Sequence, residues 1–252
     1  PAGRLTDALI KRKDAENVRS ATLLVTNSYF TAESIYRAYS ARACVSYLGV
    51  DIEQFRPLDL QREDYVFSVG AVSPLKGYDF QIDAIACMPG TRRPRLVIAG
   101  NTVSGAERSY LESRARQRGV SLAVHEHVTE SELVRLYNRA RALVYSPILE
   151  PFGFAPIEAM ACGTPVVAVA EGGVRESVQH EQTGLLAPRD PYGFAEQLGR
   201  LLQDDALYRH VSETAVQKAQ TFWNWPAAGA RFLACIEAHL PGVAADEIRT
   251  EV

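Results

Sequence analysis

Apolar and polar positions along this chain follow two periods in alternation. Short, nearly continuous apolar or β-branched runs occur at Leu23–Thr26, Ala43–Tyr47, Tyr65–Val69, Arg95–Ala99, Leu122–His125, Leu143–Ser146 and Pro165–Val169. Runs of this kind suit parallel strands covered on both faces. Between them, apolar residues return at helical spacing: Tyr78, Ile82, Ile85 and Ala86; Leu133, Leu136, Tyr137 and Ala140; Phe194, Leu198, Leu201 and Leu202; and Leu207, Val211, Ala215, Ala219 and Phe222. Thr183 to Pro188 reads as a short strand, and Asp190-Pro191 as the opening of a capped helix. Strand and helix in alternation predict an α/β fold with a doubly wound, Rossmann-like parallel sheet. Right-handed crossovers then place a ligand at the carboxyl ends of the strands. No internal repeat or low-complexity tract interrupts the pattern, and the small, charged stretch after Pro241 reads as a fraying tail or a short terminal helix.

The residues that carry chemistry cluster just after those strands. Gly70 to Gly77, Gly100 and Asn101, His127 to Thr129, Glu150 to Phe154, and Gly172 with Gly173 each follow a predicted strand end. Five loops on one edge of a sheet make one crevice, and that convergence weighs more than any single motif.

Within it, Glu150 and Glu158 stand with seven residues between them, separated by the Pro151-Phe152-Gly153 turn and the start of a short helix. Ala155 or Pro156 is expected to open that helix, and Gly163 to close it. Unsatisfied N–H groups at the helix start suit an anion, while carboxylates accept hydrogen bonds from sugar hydroxyls. The pattern therefore suits a phosphate-bearing, hydroxyl-rich ligand. A lone glutamate complementing the helix dipole, worth about 0.3–1 kcal/mol, would account for one acid and not for the pair.

Lys76 lies before Gly77, in a loop that opens another helix, where an ammonium neutralises phosphate as a point charge. An ordinary surface lysine is the plainer reading, since neither phosphate-loop nor dinucleotide fingerprint is present. Gly172-Gly173 serves equally as a backbone approach to ligand or as a tight turn. His125 and His127 put two imidazoles on one face of a strand end, but no third metal ligand is signalled, and a strand entering a loop explains them better. Phe222-Trp223-Asn224-Trp225-Pro226 reads as core packing or a domain junction.

Composition narrows the function. The chain has 252 residues, 47% of them apolar, which suffices for a well-buried core. A net charge of −3 gives no electrostatic ground for a nucleic-acid partner, and Lys11-Arg12-Lys13 reads as a solvated helix face. Cys44, Cys87, Cys162 and Cys235 show no C-x-x-C or zinc spacing, so buried thiols in a reducing cytoplasm are expected. No apolar run reaches the ~20 residues a membrane helix needs, and no signal peptide is read at the start.

Taken in order, these motifs resemble the C-terminal, donor-binding half of retaining GT-B glycosyltransferases, specifically family 4, the glycosyl transferases group 1 domain. The matching pieces are Gly49-Val50-Asp51 with Phe55 and Pro57, Val69-Gly70 through Lys76-Gly77, Ile98-Ala99-Gly100, Glu150 through Val167, Gly172-Gly173-Val174 with Glu176, Thr183 to Leu186, and the Phe222–Trp225 stretch. The likeness spans about residues 22 to 235.

The resemblance implies a nucleotide-diphosphosugar donor, sugar transfer to an acceptor hydroxyl with retention, and neither bound metal nor other cofactor. It assigns Lys76 to the donor diphosphate, Glu150 to the transferred sugar and Glu158 to the ribose hydroxyls. It further assigns the backbone of Phe152, Gly153, Phe154 and Ala155 to phosphates and sugar, and His127 and Val128 to the base, with Gly70 and Gly100 lining the donor loops. An acceptor glycan, lipid or small molecule would be held by another lobe. A cytoplasmic location, with a peripheral one at the inner face of a membrane as the variant, goes with it.

Two departures stand out. Where the family carries arginine after the first donor-loop glycine, this chain has Ala71, leaving Arg92, Arg93 or Arg175 as possible substitutes. And residues 1–47 read as only the last elements of an N-terminal acceptor lobe, followed by a linker over 48–57, a donor domain over 58–240 and a tail over 241–252. A remnant built for a larger sheet is expected to be disordered, to dock non-natively or to self-associate. Three further readings compete. A non-catalytic GT-B-like binding or scaffold protein would have Ala71 as its mark. A nicotinamide oxidoreductase would need a G-x-G-x-x-G after a strand. A sugar-nucleotide epimerase of the same architecture would not need the paired glutamates.

Overall fold

A computed structural model describes residues 2–239, with side chains from residue 9 onward. The chain divides into two compact units, residues 49–225 and residues 1–48 with 226–252. The smaller begins with α1 (Ala2–Ser20), β1 (Val25–Thr26), α2 (Tyr29–Tyr39) and β2 (Cys44–Val45). Ser28 caps α2, its hydroxyl accepting the Thr31 amide at 3.0 Å. The exposed Lys11-Arg12-Lys13 run lies on α1, where Arg12 pairs with Glu16.

The larger unit holds β3 (Tyr65–Val69), α3 (Tyr78–Cys87), β4 (Arg95–Gly100), α4 (Gly105–Arg118), β5 (Leu122–Glu126), α5 (Glu130–Arg139), β6 (Ala142–Tyr145), α6 (Phe154–Ala161), β7 (Val166–Val169), α7 (Val174–Ser177), β8 (Leu185–Ala187), α8 (Pro191–Gln203) and α9 (Asp205–Thr221). Its six strands are all parallel, in the order β5-β4-β3-β6-β7-β8. The predicted doubly wound sheet is therefore present. Both faces are covered, which is why β6 and β7 are buried at every position. Val66, Ile98, Val144 and Val167 are fully buried at its centre, each contributing about 1.5–3 kcal/mol. Asp190 caps α8 as expected, its carboxylate accepting the Gly193 amide at 2.7 Å.

Several expectations change. The stretch 1–47 is not disordered over its described residues; Ser28 and the β1–β2 pairing give it local partners. Its strands are shorter than the apolar runs, and among the described residues each pairs with the other. Of the stretch 48–57 read as a linker, residues 49–57 cluster with the larger unit: Val50 and Phe55 are buried, and the Val50 amide donates to the Trp223 carbonyl at 2.6 Å. The final helix, α10 (Trp225–His239), falls with the smaller unit from Pro226 on, so the larger unit stops at 225 rather than 240. Cys44 of β2 and Cys235 of α10 form a disulfide, where free thiols were expected. Their separation of 191 residues carries no sequence signal of pairing. Cys87 and Cys162 are free, the latter buried. The expected tail over 241–252 lies outside the described residues.

Candidate functional site

Strand order reverses between β3 and β6, which are neighbours. Loops leaving their carboxyl ends part in opposite directions and open a crevice. The loop after β3 runs from Gly70 through a 3-10 turn, Pro74–Lys76, to Gly77 at the start of α3. The loop after β6 carries Glu150. The two loops meet: Lys76 Nζ donates to Glu150 Oε2 at 2.6 Å, each side chain about a quarter exposed (25% and 28%). The lysine stem lies along Gly70, where a Cβ would sit 3.3 Å from Lys76 Cε.

The Glu150 loop is held from behind. Its carbonyl accepts the Gly173 amide at 2.9 Å. Gly172 has φ +66, and a Cβ there would lie 2.4 Å from the same carbonyl oxygen. The glycine pair thus serves as a seat for the acid-bearing loop.

Helix α6 starts at Phe154, one residue before the expected opening, because Gly153 takes the N-cap with φ +86. No side chain can fit there: a Cβ would fall 2.1 Å from the Tyr145 hydroxyl. The helix start carries no side-chain cap, so the dipole's positive end lies at its first amides, those of Phe154 and Ala155. Gly163 follows the last turn in the left-handed conformation, as expected. The Phe152 ring is core rather than ligand surface, 2% exposed and packed 5.8 Å from both Phe154 and Trp223. Within the aromatic stretch Trp223 is buried core, whereas Trp225 is half exposed.

Beside the ion pair lies a cavity of about 500 Å³ whose wall includes Gly70, Gly100, Val128 and Glu158. Phe55, Ala71, Asn101 and Glu130 complete much of it. Glu158 Oε2 accepts from the fully buried Tyr137 hydroxyl at 2.6 Å. Burial pushes the Glu158 carboxyl above its ordinary range, against the pull of that hydrogen bond. Burial, and then the Glu158 charge, push the Tyr137 phenol far above its usual value, so it stays a donor.

Of the sequence-derived site residues, Gly70, Gly100, Val128 and Glu158 share the cavity, and Lys76 and Glu150 pair next to it. His127 does not line it: it is exposed, beyond the end of β5, with φ +54. Among the described residues, metal-ligand atoms converge only at Cys44, Cys235 and His239, and both sulfurs there are in the disulfide. Ala71 is exposed on the cavity wall. Arg92 and Arg93 are held elsewhere, by Gln203 and by the Ala86 and Met88 carbonyls, whereas Arg175 bonds the Gly172 carbonyl behind the Glu150 loop. Tyr137 is the site residue that sequence reading assigned only to a helix core face; nothing in its spacing signals a polar partner.

The family described as glycosyl transferases group 1 matches residues 50–218. The chain belongs to this family. Among relatives of this glycosyltransferase chain is the D-inositol 3-phosphate glycosyltransferase of Frankia alni, 35% identical over 91% of this chain and 61% of the relative. Another is the enzyme of the same name from Streptomyces bingchenggensis, 32% identical over 84% of this chain and 52% of the relative. The chain thus spans between half and two thirds of the length of these relatives. Sucrose-phosphate synthase from Thermosynechococcus elongatus superposes with a TM-score of 0.79 at 25% identity, covering 90% of this chain and 61% of that one. Anabaena Alr3699/HepE, solved with UDP and glucose, shares the fold with a TM-score of 0.81 at 21% identity, over 90% and 66% of the two chains.

Proposed function

We propose that this chain is the nucleotide-diphosphosugar-binding lobe of a glycosyltransferase that moves a hexose to an acceptor hydroxyl with retention and without a metal ion. The observation that carries the reading is the Lys76–Glu150 pair at the sheet's switch point, beside the start of α6 and the Glu158 cavity. Donor diphosphate competes for the Lys76 ammonium and sits against the α6 amides; Glu150, released, accepts hydroxyls of the transferred sugar. Glu158 takes the ribose, and the wall at Gly100 and Val128 takes the base. Negative charge then develops on the departing diphosphate where a fixed ammonium and helix dipole already point, the arrangement that lowers such barriers most. The leaving phosphate helps deprotonate the acceptor on the same face. The acceptor, a glycan, lipid or small molecule, is bound by another lobe of a longer protein, so the chain alone transfers little. The protein works in the cytoplasm or at the inner face of a membrane, and residues 1–47, with exposed Val25, Tyr29 and Tyr36, self-associate when isolated.

Relatives named for glycosyl transfer and a like fold solved with UDP support this reading. Calorimetric titration of UDP and GDP against wild type and Lys76→Ala tests it. Saturable binding that weakens at least tenfold in the variant is expected; absence of binding by every nucleoside diphosphate defeats it.

A second reading, a nucleotide-sugar-binding protein without transfer, is favoured by Ala71, since the described cavity wall holds two glutamates and no cation. Turnover of nucleotide-sugars by the longer protein rejects it.

A further inference from the structure

Tyr137 is fixed at every point where it touches the protein. Its ring packs edge-on against Phe67 at 5.0 Å and Phe55 at 5.9 Å. Its carbonyl accepts from Thr164 Oγ1 at 2.7 Å and Arg62 Nη1 at 3.2 Å. Its hydroxyl has one proton to give and gives it to Glu158 Oε2. A carboxylate offers about four lone-pair sites, so this bond engages one oxygen and restrains the carboxylate, leaving acceptor sites on Glu158 for a ligand in the cavity it lines.

Resting on the nucleotide-sugar reading above, we propose that Tyr137 is a positioning residue that orients Glu158 toward a vicinal diol, so that the site selects ribonucleoside over 2′-deoxyribonucleoside diphosphates. A carboxylate free to rotate would meet either sugar with similar loss of side-chain freedom. One restrained by that bond meets both ribose hydroxyls without reorganising, and it loses one hydrogen bond to the deoxy sugar. The lost bond is to a charged acceptor, which sets selectivity at about tenfold or more.

The titratable groups around Glu158 are Tyr137 from α5, Tyr145 at the end of β6, Cys162 after α6, and Glu130 on the cavity wall. Burial holds the Tyr145 phenol far above, and the Cys162 thiol at about 12, so both stay neutral near pH 7. Removing the Tyr137 hydroxyl takes away the hydrogen bond that lowers the Glu158 carboxyl.

Binding of UDP and 2′-deoxy-UDP, and of GDP and 2′-deoxy-GDP, to the 252-residue chain is measured between pH 4.5 and 8 for wild type, Tyr137→Phe and Lys76→Ala. Tyr137→Phe keeps the ring packing, and thermal unfolding verifies its fold. p-Aminophenylalanine at position 137 keeps a donor and serves as the rescue. Wild type is expected to favour the ribonucleotide about tenfold, Tyr137→Phe to bring the ratio near one with deoxynucleotide affinity little changed, and the rescue to restore it. Lys76→Ala weakens both sugars alike. The acid-side loss of selectivity moves to higher pH wherever Tyr137→Phe retains any. An unchanged ratio in Tyr137→Phe, or none in wild type, overturns the inference while leaving the nucleotide-sugar reading intact. No binding by any of the four overturns both.

Discussion

The ammonium of Lys76 and the carboxylate of Glu150 meet at 2.6 Å although 74 residues separate them. They meet because β3 and β6 are adjacent and parallel, so their following loops leave the same edge side by side. The contact holds one cation and one anion side by side at the sheet's switch point, and under the proposed function a donor diphosphate must part them.

Lys76→Ala and Glu150→Gln should each change stability by about 1 kcal/mol or less, since a partly solvated ion pair contributes little net. For a chain of this size that is a Tm change of about 2–4 °C. Calorimetric melting of both variants checks this. Loss of nucleotide affinity without loss of fold then belongs to the site.

Gly172→Ala should be destabilising by about 1–3 kcal/mol, from a left-handed backbone and a displaced loop. The new Cβ would press on the Glu150 carbonyl, so nucleotide affinity should fall as well. Urea unfolding and calorimetric titration on one preparation read both effects, and an unchanged affinity would show that the Glu150 loop is seated by other contacts.

Arg62 bonds the carbonyls of Tyr137, Ala140 and Gly163 and the Thr164 hydroxyl, at 2.6 to 3.2 Å. Its charge thereby sits at the carboxyl ends of both α5 and α6, the helices that bring Tyr137 to Glu158. Arg62→Met should cost about 2–4 kcal/mol, because buried acceptors lose a charged donor. A shift of the urea midpoint at constant slope measures it; a slope change would indicate a loosened native state.

Glu158→Gln should be more stable than wild type near pH 7, with the gap closing in acid. The folded-state pKa of Glu158 is raised by burial. A raised carboxyl contributes stability that is fully present below its unfolded value and lost as pH rises through the folded value. The neutral amide has no such loss. Urea midpoints of both proteins from pH 4 to pH 8 test the sign, and the same variant should bind nucleotide more weakly, a cost of function to stability.

The placement of the strands along the chain, the fold class and most core positions were legible from hydrophobic period, because a strand buried on both faces has little freedom but to be apolar. β3 matches its apolar run residue for residue, and Phe194, Leu198, Leu201 and Leu202 are all buried as their spacing implies. The paired glutamates, the lysine and the glycines were legible too, since each follows a strand end and strand ends share an edge. Period alone does not set strand length: β1 and β2 fill only part of their apolar runs.

What the sequence determined, then, is the alternation that builds the sheet and the residue types gathered on its carboxyl edge. Only the tertiary structure decided that Lys76 lies against Glu150, that Gly172 and Gly173 seat that loop, that Tyr137 holds Glu158, and that Cys44 bonds Cys235. The physical reason is the same in each case. Periodicity reports which way a side chain faces along its own element, whereas a partner tens of residues away is chosen by which elements lie side by side.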